Sequence, residues 1–209
     1  MNRNTEEKLL VDGPAGALEV LVTRAEAAHA VAVICHPHPL HGGTMQNKVV
    51  STLMRAARDL GASTVRFNFR GVGQSAGEHG GGIGEVQDCQ AIIDWAAREF
   101  AGLPLWLMGF SFGGYVAAAA AREQQDWPQA LILVAPSVER MPFADLLPLP
   151  GPATVMMGED DEVVAPESVF ELLEGQPGVT MVRFAETSHF FHGKLVELKT
   201  ATEQALQAL

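Results

Sequence analysis

The stretch LPLWLMGFSFGGYVAAAAARE, residues 103–123, contains three patterns in succession. The run LPLWLM is almost entirely apolar, as expected for a strand that is covered on both faces of a sheet. The alanine-rich run that follows predicts a helix, and the glycines between the two runs predict a tight turn. A buried strand that turns directly into a helix is typical of a parallel sheet with crossover helices.

The same alternation continues on both sides of this stretch. A glycine-rich turn, DGPAG, separates the two strands of an N-terminal hairpin, and helices separate most of the later strands. The predicted strands are residues 7–11, 17–23, 30–35, 63–69, 103–110, 130–135, 153–157 and 179–184, and the predicted helices are residues 47–60, 86–100, 113–123, 166–174 and 191–209. We therefore expect one α/β domain over residues 1–209, with helices on both faces of a mostly parallel eight-stranded sheet. Ligands of such sheets bind beyond the carboxyl ends of the strands.

The composition narrows the expected partners and compartment. Hydrophobic residues make up 47% of the 209 residues, enough for one full core but without an apolar run long enough to span a membrane. The formal charge of −11 would repel phosphate backbones and anionic lipids, so neither nucleic acid nor a membrane is expected as a partner. Cys35 and Cys89 are too few for a disulfide framework, and residues 1–13 contain no apolar h-region, so a secreted protein is not expected. A cytoplasmic protein with free thiols is the expectation, and the sequence carries no signal for an oligomeric state.

Residues 109–113, GFSFG, match the G-x-S-x-G nucleophile elbow in the strand, turn and helix context that this motif requires. The turn is so sharp that Ser111 must take a strained backbone conformation, and Gly109 and Gly113 leave the space for it. The following helix points its free N–H groups and positive dipole end at the serine, so the Phe112 amide is one expected donor to an oxyanion. A lone serine hydroxyl is a poor nucleophile, so the motif requires partners.

Two later loops supply an acid and a base in the chain order that this motif demands. The segment ATVMMGEDDEVVAP contains a strand, a glycine and the acidic residues 159–162, which are all candidates for the acid. The last strand ends near Phe184, and His189 follows in a loop from which it can reach the serine. His192 lies one helical turn further on and is expected on the helix surface.

With Ser111, an acidic loop and His189 in this order, the chain resembles the α/β-hydrolase superfamily along essentially its whole length. Five stretches are similar to those of small bacterial members of the dienelactone-hydrolase and carboxylesterase types: CHPHPLHGGTMQNKVV, FNFRGVGQSAG, GFSFGG, GEDDEVV and SHFFHGKL. The superfamily pattern G-x-x-D-x-x-V falls on Gly158, Asp161 and Val164, so the resemblance favours Asp161 as the acid.

The resemblance implies an α/β-hydrolase fold and a serine hydrolase with a Ser111, Asp161 and His189 triad and no cofactor. Residues 136–150, PSVERMPFADLLPLP, stand where larger members insert a helical lid, and a link this short and rich in proline cannot form one. A site without a lid favours small carboxylic esters or related acyl compounds, cleaved through an acyl-enzyme. The alternatives on this scaffold are an acyltransferase or peptidase with the same triad and a binding module without enzymatic activity.

A cluster of histidines follows the third predicted strand in CHPHPLHGG, residues 35–43. His36, His38 and His41 reproduce the histidine spacing of H-x-H-x-D-H in metallo-β-lactamase-type hydrolases, so a metal-dependent hydrolase is the competing hypothesis. Leu40 stands where that motif needs an aspartate, and no metal is therefore expected. The His36 side chain is expected instead to brace the loop through hydrogen bonds.

In the α/β-hydrolase superfamily, which the chain resembles, the loop after the third strand provides a second backbone N–H donor to the oxyanion. Pro37 and Pro39 have no N–H group, which limits the number of possible donors. The superfamily pattern places the donor two residues after a histidine at the strand end, which corresponds to the amide of His38. Leu40 and the glycines of residues 42–43 are the alternatives.

Residues 71–76, GVGQSA, fit the loose dinucleotide-binding pattern G-x-G-x-x-A. More glycines follow in HGGGIG before the next predicted helix, so the helix N-terminus that should hold a pyrophosphate is displaced. No nucleotide cofactor is expected. Arg70, directly before this loop, is expected to hold the loop through hydrogen bonds.

Overall fold

A single eight-stranded sheet forms the centre of the computed structural model, which describes residues 5–209. The strands are β1 (Glu6–Gly13), β2 (Gly16–Thr23), β3 (Val31–Cys35), β4 (Ser63–Phe67), β5 (Leu105–Phe110), β6 (Ala130–Val134), β7 (Ala153–Gly158) and β8 (Val179–Phe184). They lie side by side in the order β1-β2-β4-β3-β5-β6-β7-β8. Each strand predicted from the sequence is present within a few residues of its expected position.

The sheet is antiparallel at one edge and parallel elsewhere. Strand β2 pairs antiparallel with both β1 and β4, whereas all pairings from β4 across to β8 are parallel. Strands β3, β4 and β6 are buried along their whole length, because both of their faces are covered. This burial explains the unbroken apolar sequences of β3 and β6. The strand pairings confirm the expected mostly parallel fold.

Helices cover the sheet in two groups. The described helices are α1 (Lys48–Asp59), α2 (Ile83–Glu99), α3 (Phe112–Arg122), α4 (Pro166–Leu173) and α5 (Leu195–Gln207). Helix α1 packs against α5, and α2 packs against α3. The chain crosses the sheet in one direction from β3 to β4 and in the other from β4 to β5. Because such crossovers are right-handed, the two directions place helices on opposite faces.

Two details of the helices differ from the sequence-based expectation. The final helix begins at Leu195 and not at Phe191, because Phe191 and Gly193 have positive φ angles that a right-handed helix cannot contain. In α2, the helical spacing of Val86, Cys89 and Ile93 predicts Ala97 on the buried face, but Ala97 is exposed and Ala96 is buried in its place.

The reversal of chain direction fixes the region of the sheet where a ligand can bind. Strand β3 lies between β4 and β5, so the carboxyl ends of β3 and β5 flank the point at which the strand order reverses. Open α/β sheets bind their ligands in the crevice at this point. Residues 36–43 follow β3 and Ser111 follows β5, so both segments reach this crevice.

The connection between β6 and β7 leaves the crevice without a lid. Residues 135–152 contain one short 3-10 helix, Phe143–Leu146, and no α-helix. The absence of a lid expected from the sequence is therefore confirmed. Within residues 5–209, no helix has both the length and the apolar composition needed to cross a membrane.

Candidate active site

Ser111 links strand β5 to helix α3 in a strained conformation. Its φ is 56° and its ψ is −117°, values that residues other than glycine rarely adopt. A Cβ on Gly109 would lie 2.0 Å from the carbonyl oxygen of Gly113, and a Cβ on Gly113 would lie 2.5 Å from that of Cys35. Both positions therefore require glycine. The Ser111 N–H donates to the carbonyl oxygen of Val134 over 2.8 Å, which holds the turn against β6.

Hydrogen bonds connect Ser111, His189 and Asp161 in a line. Nε2 of His189 is 3.1 Å from Oγ of Ser111, and Nδ1 is 2.7 Å from Oδ2 of Asp161. An ionised carboxylate only accepts, so Nδ1 donates and Nε2 is left to accept the hydroxyl proton of Ser111. All three residues are buried, which reduces competition from water. This arrangement can move a proton from the hydroxyl to the imidazole, with a carboxylate beside the ring that becomes charged.

The acidic loop after β7 presents one carboxylate to the ring. Oδ1 of Asp161 accepts hydrogen bonds from the backbone amides of Val163 and Val164, each over 2.8 Å. These two bonds fix the side chain, so Oδ2 is left for His189. Asp160 is exposed, so the structure brings Asp161 and not its neighbour to the histidine.

Glu162 has a role that its sequence position does not reveal. Its Oε2 accepts the backbone N–H of His189 over 3.1 Å. Two consecutive acidic residues thus hold the same histidine, Asp161 by the ring and Glu162 by the backbone. His192 is exposed and contacts the ring of Phe190, and it forms no part of the hydrogen-bonded line.

His36 is buried, and each of its two ring nitrogens has a hydrogen-bond partner. Nδ1 is 2.6 Å from the carbonyl oxygen of Pro37, and Nε2 accepts the backbone N–H of Phe69 over 3.0 Å. Because a carbonyl only accepts and an amide only donates, the ring is neutral and carries its proton on Nδ1. Burial lowers the pKa of His36 to about 4. The side chain thus joins the loop after β3 to the segment after β4.

Most backbone N–H groups in the loop after β3 already donate hydrogen bonds within the protein. The Leu40 N–H donates to Nδ1 of His38 over 3.2 Å. The amides of residues 41–43 donate to carbonyl oxygens of His38 or Pro39. Since Pro37 and Pro39 have no N–H, the His38 amide is the one in residues 37–43 that donates no hydrogen bond to the described chain. The Phe112 amide, at the first position of α3, also has no acceptor there.

The three histidines of this loop do not form one ligand set. His36 is directed into the interior, whereas the rings of His38 and His41 stack on each other with centroids 4.6 Å apart. His41 is exposed. Residues 5–209 contain no group of three or more histidine, cysteine, aspartate or glutamate side chains placed to hold a metal ion.

The sequence of residues 27–150 matches the family model Hydrolase_4, described as serine aminopeptidase S33. This match covers more than half of the chain, in the segment that contains the elbow and the loop after β3. This chain belongs to the Hydrolase_4 family of α/β hydrolases.

Two solved structures and one curated protein are similar to this Hydrolase_4 member along most of its length. An α/β serine hydrolase homologue from Coxiella burnetii is 44% identical, with a TM-score of 0.92 over 97% of this chain and 98% of that chain. An α/β serine hydrolase without a lid from Xanthomonas campestris is 42% identical, with a TM-score of 0.91 over 98% of this chain and 95% of that chain. An uncharacterised Rickettsia prowazekii protein is 31% identical over 95% of this chain and 88% of its own length.

The cleft of this Hydrolase_4 member at Ser111 is small. Its cavity volume is 130 Å³, and its lining includes His38, Phe112 and His189. A larger depression of 540 Å³ lies at the amino end of β4, away from the carboxyl ends of the parallel strands. The arginines that border this depression already pair with acidic side chains, so the smaller cleft is the better candidate site.

The cleft also contains two residues that the sequence-based interpretation did not include. Ser137 and Arg140 lie in the turn after β6 and line the cleft together with Ser111. Their position just beyond the carboxyl end of a parallel strand is the signal that points to them. Arg70 is not part of the cleft lining. It forms an ion pair with the buried Asp88 over 2.7 Å, which holds the glycine-rich loop as expected.

Proposed function

We propose that this Hydrolase_4 protein is a serine esterase that cleaves small carboxylic esters or related acyl compounds through an acyl-enzyme. Ser111 is the nucleophile, His189 is the general base, and Asp161 orients the ring and stabilises its charged form. The observation that carries the proposal is the unbroken line of hydrogen bonds from Asp161 through His189 to Ser111.

The reaction proceeds in two halves. Oγ of Ser111 attacks the carbonyl carbon while Nε2 of His189 takes the hydroxyl proton. The amides of Phe112 and His38 stabilise the resulting oxyanion, and their lack of acceptors within the described chain supports this role. The alcohol then leaves with the proton from His189. Water, activated by the same imidazole, attacks the acyl-enzyme and releases the acid and free Ser111.

The size of the site supports short substrates. The cleft holds 130 Å³ and no lid covers it, so a long acyl chain would extend into water without burying its apolar surface. We expect the specificity constant kcat/KM for 4-nitrophenyl esters to be highest for acetate or butyrate and to fall as the acyl chain lengthens. A preference for long chains would contradict this part of the proposal.

The central experiment compares wild type with Ser111→Ala on 4-nitrophenyl acetate and with a fluorophosphonate probe. The variant should lose on the order of 10,000-fold in kcat/KM because it lacks the nucleophile. The probe should label wild type on Ser111 and leave the variant unlabelled. Esterase activity that EDTA abolishes and that survives the fluorophosphonate would overturn the serine mechanism.

The family description favours a peptidase as the second candidate function. Aminoacyl 4-nitroanilides should therefore be assayed beside the esters, on the same preparations of wild type and Ser111→Ala. We expect kcat/KM to be higher for the esters. A higher value for an anilide that also depends on Ser111 would assign the same catalytic residues to amide hydrolysis.

A further inference from the structure

Arg140 is a cation in the cleft without an anionic partner. It lies in the turn after β6, is exposed, and lines the cleft that contains Ser111. It makes no hydrogen bond or ion pair with another described residue. By contrast, Arg66, Arg70 and Arg183 each pair with a carboxylate of this chain. The guanidinium of Arg140 is therefore available to a ligand.

A second unused donor lies in the same turn. Ser137 is only 7% exposed and lines the cleft, yet its hydroxyl has no hydrogen-bond partner among residues 5–209. Its backbone N–H donates to the carbonyl oxygen of Ser111 over 3.2 Å, which fixes it beside the nucleophile. The hydroxyl is not among the fully buried polar atoms that lack a partner, so it opens onto the cleft, where a ligand or water can reach it.

The charges around the cleft favour an anion. Arg140 is the one lysine or arginine among the described residues that line the cleft, and no aspartate or glutamate is among them. Burial is the largest cause of a lowered pKa for His38, and the nearby imidazoles of His41 and His79 and the Arg140 guanidinium lower it further. Glu85 alone acts in the opposite sense. The side chains that line the cleft thus carry one formal positive charge, that of Arg140, although the whole chain has a formal charge of −11.

Part of the lining is apolar. Phe112, Val163, Val164 and Phe190 provide an apolar surface with no side-chain hydrogen-bond acceptor. Arg140 and Ser111 line the same cleft of 130 Å³, so a short molecule suffices to place one group at Arg140 and a carbonyl at Ser111.

We infer that the cleft binds short esters with a carboxylate or phosphate on the non-reacting part, and that Arg140 pairs with this anionic group while Ser137 donates a second hydrogen bond to it. This inference rests on the proposed function, because it names the substrate class of the same serine. A guanidinium presents parallel N–H donors that match two oxygens of either anion.

The test uses matched aryl esters that differ in one charge. Sodium 4-acetoxybenzoate carries a carboxylate on the leaving group, and 4-acetoxybenzamide is its neutral match. Mono-4-nitrophenyl adipate carries the carboxylate on the acyl group, and its terminal amide is the neutral match. A third anionic ester, 4-acetoxyphenyl phosphate, separates a preference for phosphate from one for carboxylate. Phenol release is measured for all five, so only cleavage at the aryl ester is counted.

We expect wild type to show a kcat/KM about tenfold or more above the neutral match for at least one anionic ester, since hydrogen bonds to charged groups are worth that much. Arg140→Gln should remove this preference, so that its ratio of kcat/KM between each anionic ester and its neutral match approaches 1, because the substitution retains much of the bulk and loses the charge. Arg98→Gln removes an exposed arginine outside the cleft, and it should retain the preference. Ser137→Ala should reduce the preference in part.

Two outcomes would overturn the inference while the proposed function stands. One is equal kcat/KM for the charged and neutral members of every pair in an enzyme that Ser111→Ala inactivates. The other is a preference for the anionic esters that persists in Arg140→Gln. Failure of wild type to cleave any of the five esters would instead overturn the proposed function itself, so the two failures are distinguishable.

Discussion

His36 and His189 are both buried at the carboxyl end of the sheet, and both carry a proton on Nδ1, yet their surroundings differ in chemistry. His36 is 0% exposed and His189 is 2% exposed. His36 lies between a backbone carbonyl and a backbone amide, whereas His189 lies between a carboxylate and a hydroxyl. Burial alone therefore does not separate a structural histidine from a reactive one.

The difference lies in how each site responds to a second proton on the ring. A proton on Nε2 of His36 would face the N–H of Phe69, which cannot accept, so the charged form has no stabilising partner there. A proton on Nε2 of His189 comes from a hydroxyl that can lose it, and the Asp161 carboxylate stabilises the charge. The first environment keeps a ring neutral, and the second allows a ring to change its charge during a reaction.

The largest expected effect comes from removing the ring of His189, the proposed general base. His189→Ala should lower kcat/KM for 4-nitrophenyl acetate by on the order of 10,000-fold, because Ser111 loses its base. The exposed His192, three residues further along the same loop, is the matched control, and His192→Ala should remain within about twofold of wild type. Steady-state kinetics on both variants measures the contrast. Inactivation by His192→Ala with activity retained in His189→Ala would assign the base to the wrong histidine.

Loss of the carboxylate beside the ring should cost somewhat less. Asp161→Asn retains the size of the side chain but removes the charge that stabilises the imidazolium and fixes the tautomer, so we expect a loss of about 1,000- to 10,000-fold in kcat/KM. Asp160→Asn changes an exposed neighbour and should have almost no effect. The same assay compares the two, and a larger loss for Asp160→Asn would show that the acid is misassigned.

The fold is predictable from the sequence because the parallel strands are covered on both faces. That burial produces apolar runs such as AVAVIC, which stand out against the helical spacing between them. The start of α5 was predicted four residues too early, because Phe191 fits the helical pattern while its positive φ depends on how the loop packs. Hydrophobic spacing does not report a backbone conformation of that kind.

The candidate site is predictable to the extent that it depends on short motifs. The strand, the turn and the glycine spacing identify Ser111 as the candidate nucleophile, and the order of residues in the chain identifies His189 as the candidate base. Chain order alone leaves residues 159–162 as candidates for the acid, and the resemblance to the superfamily pattern favours Asp161. In space, its hydrogen bond to the His189 ring and its bonds to two backbone amides distinguish it. No sequence motif identifies Arg140 as a residue of the cleft, because its position there depends on which strands lie side by side in the sheet.

The next largest effect is expected from His36, on the pH dependence of the free energy of unfolding. The folded-state pKa of His36 is about 4 and lies below the ordinary value of 6.5, so the unfolded chain binds the proton more readily. The stabilisation is therefore complete above pH 6.5 and is lost as the pH falls toward 4. The loss amounts to about 3 kcal/mol of the free energy of unfolding.

Urea unfolding between pH 7 and pH 4 measures this loss. His36→Gln cannot titrate, so its stability should fall by about 3 kcal/mol less than that of wild type over this range, even if it starts from a lower value. Equal losses in wild type and His36→Gln would show that His36 is not the group responsible. His192→Gln removes an exposed ring and should follow wild type.

The smallest effect is expected at Glu162, which holds the backbone of the reactive histidine rather than its ring. Glu162→Ala should lower kcat by about three- to tenfold, because one hydrogen bond to the His189 amide is lost while the ring still contacts Asp161. Glu162→Gln has an oxygen that can accept the same N–H, so it should restore most of the loss. Glu159→Ala removes another exposed acid of this loop and serves as the control for charge.

If the glutamine variant were as slow as the alanine variant, the negative charge and not the hydrogen bond would be the contribution of Glu162. Equal activity of wild type and Glu162→Ala would instead mean that Asp161 alone suffices to position His189, and that the difference from His36 resides entirely in the partners of the ring.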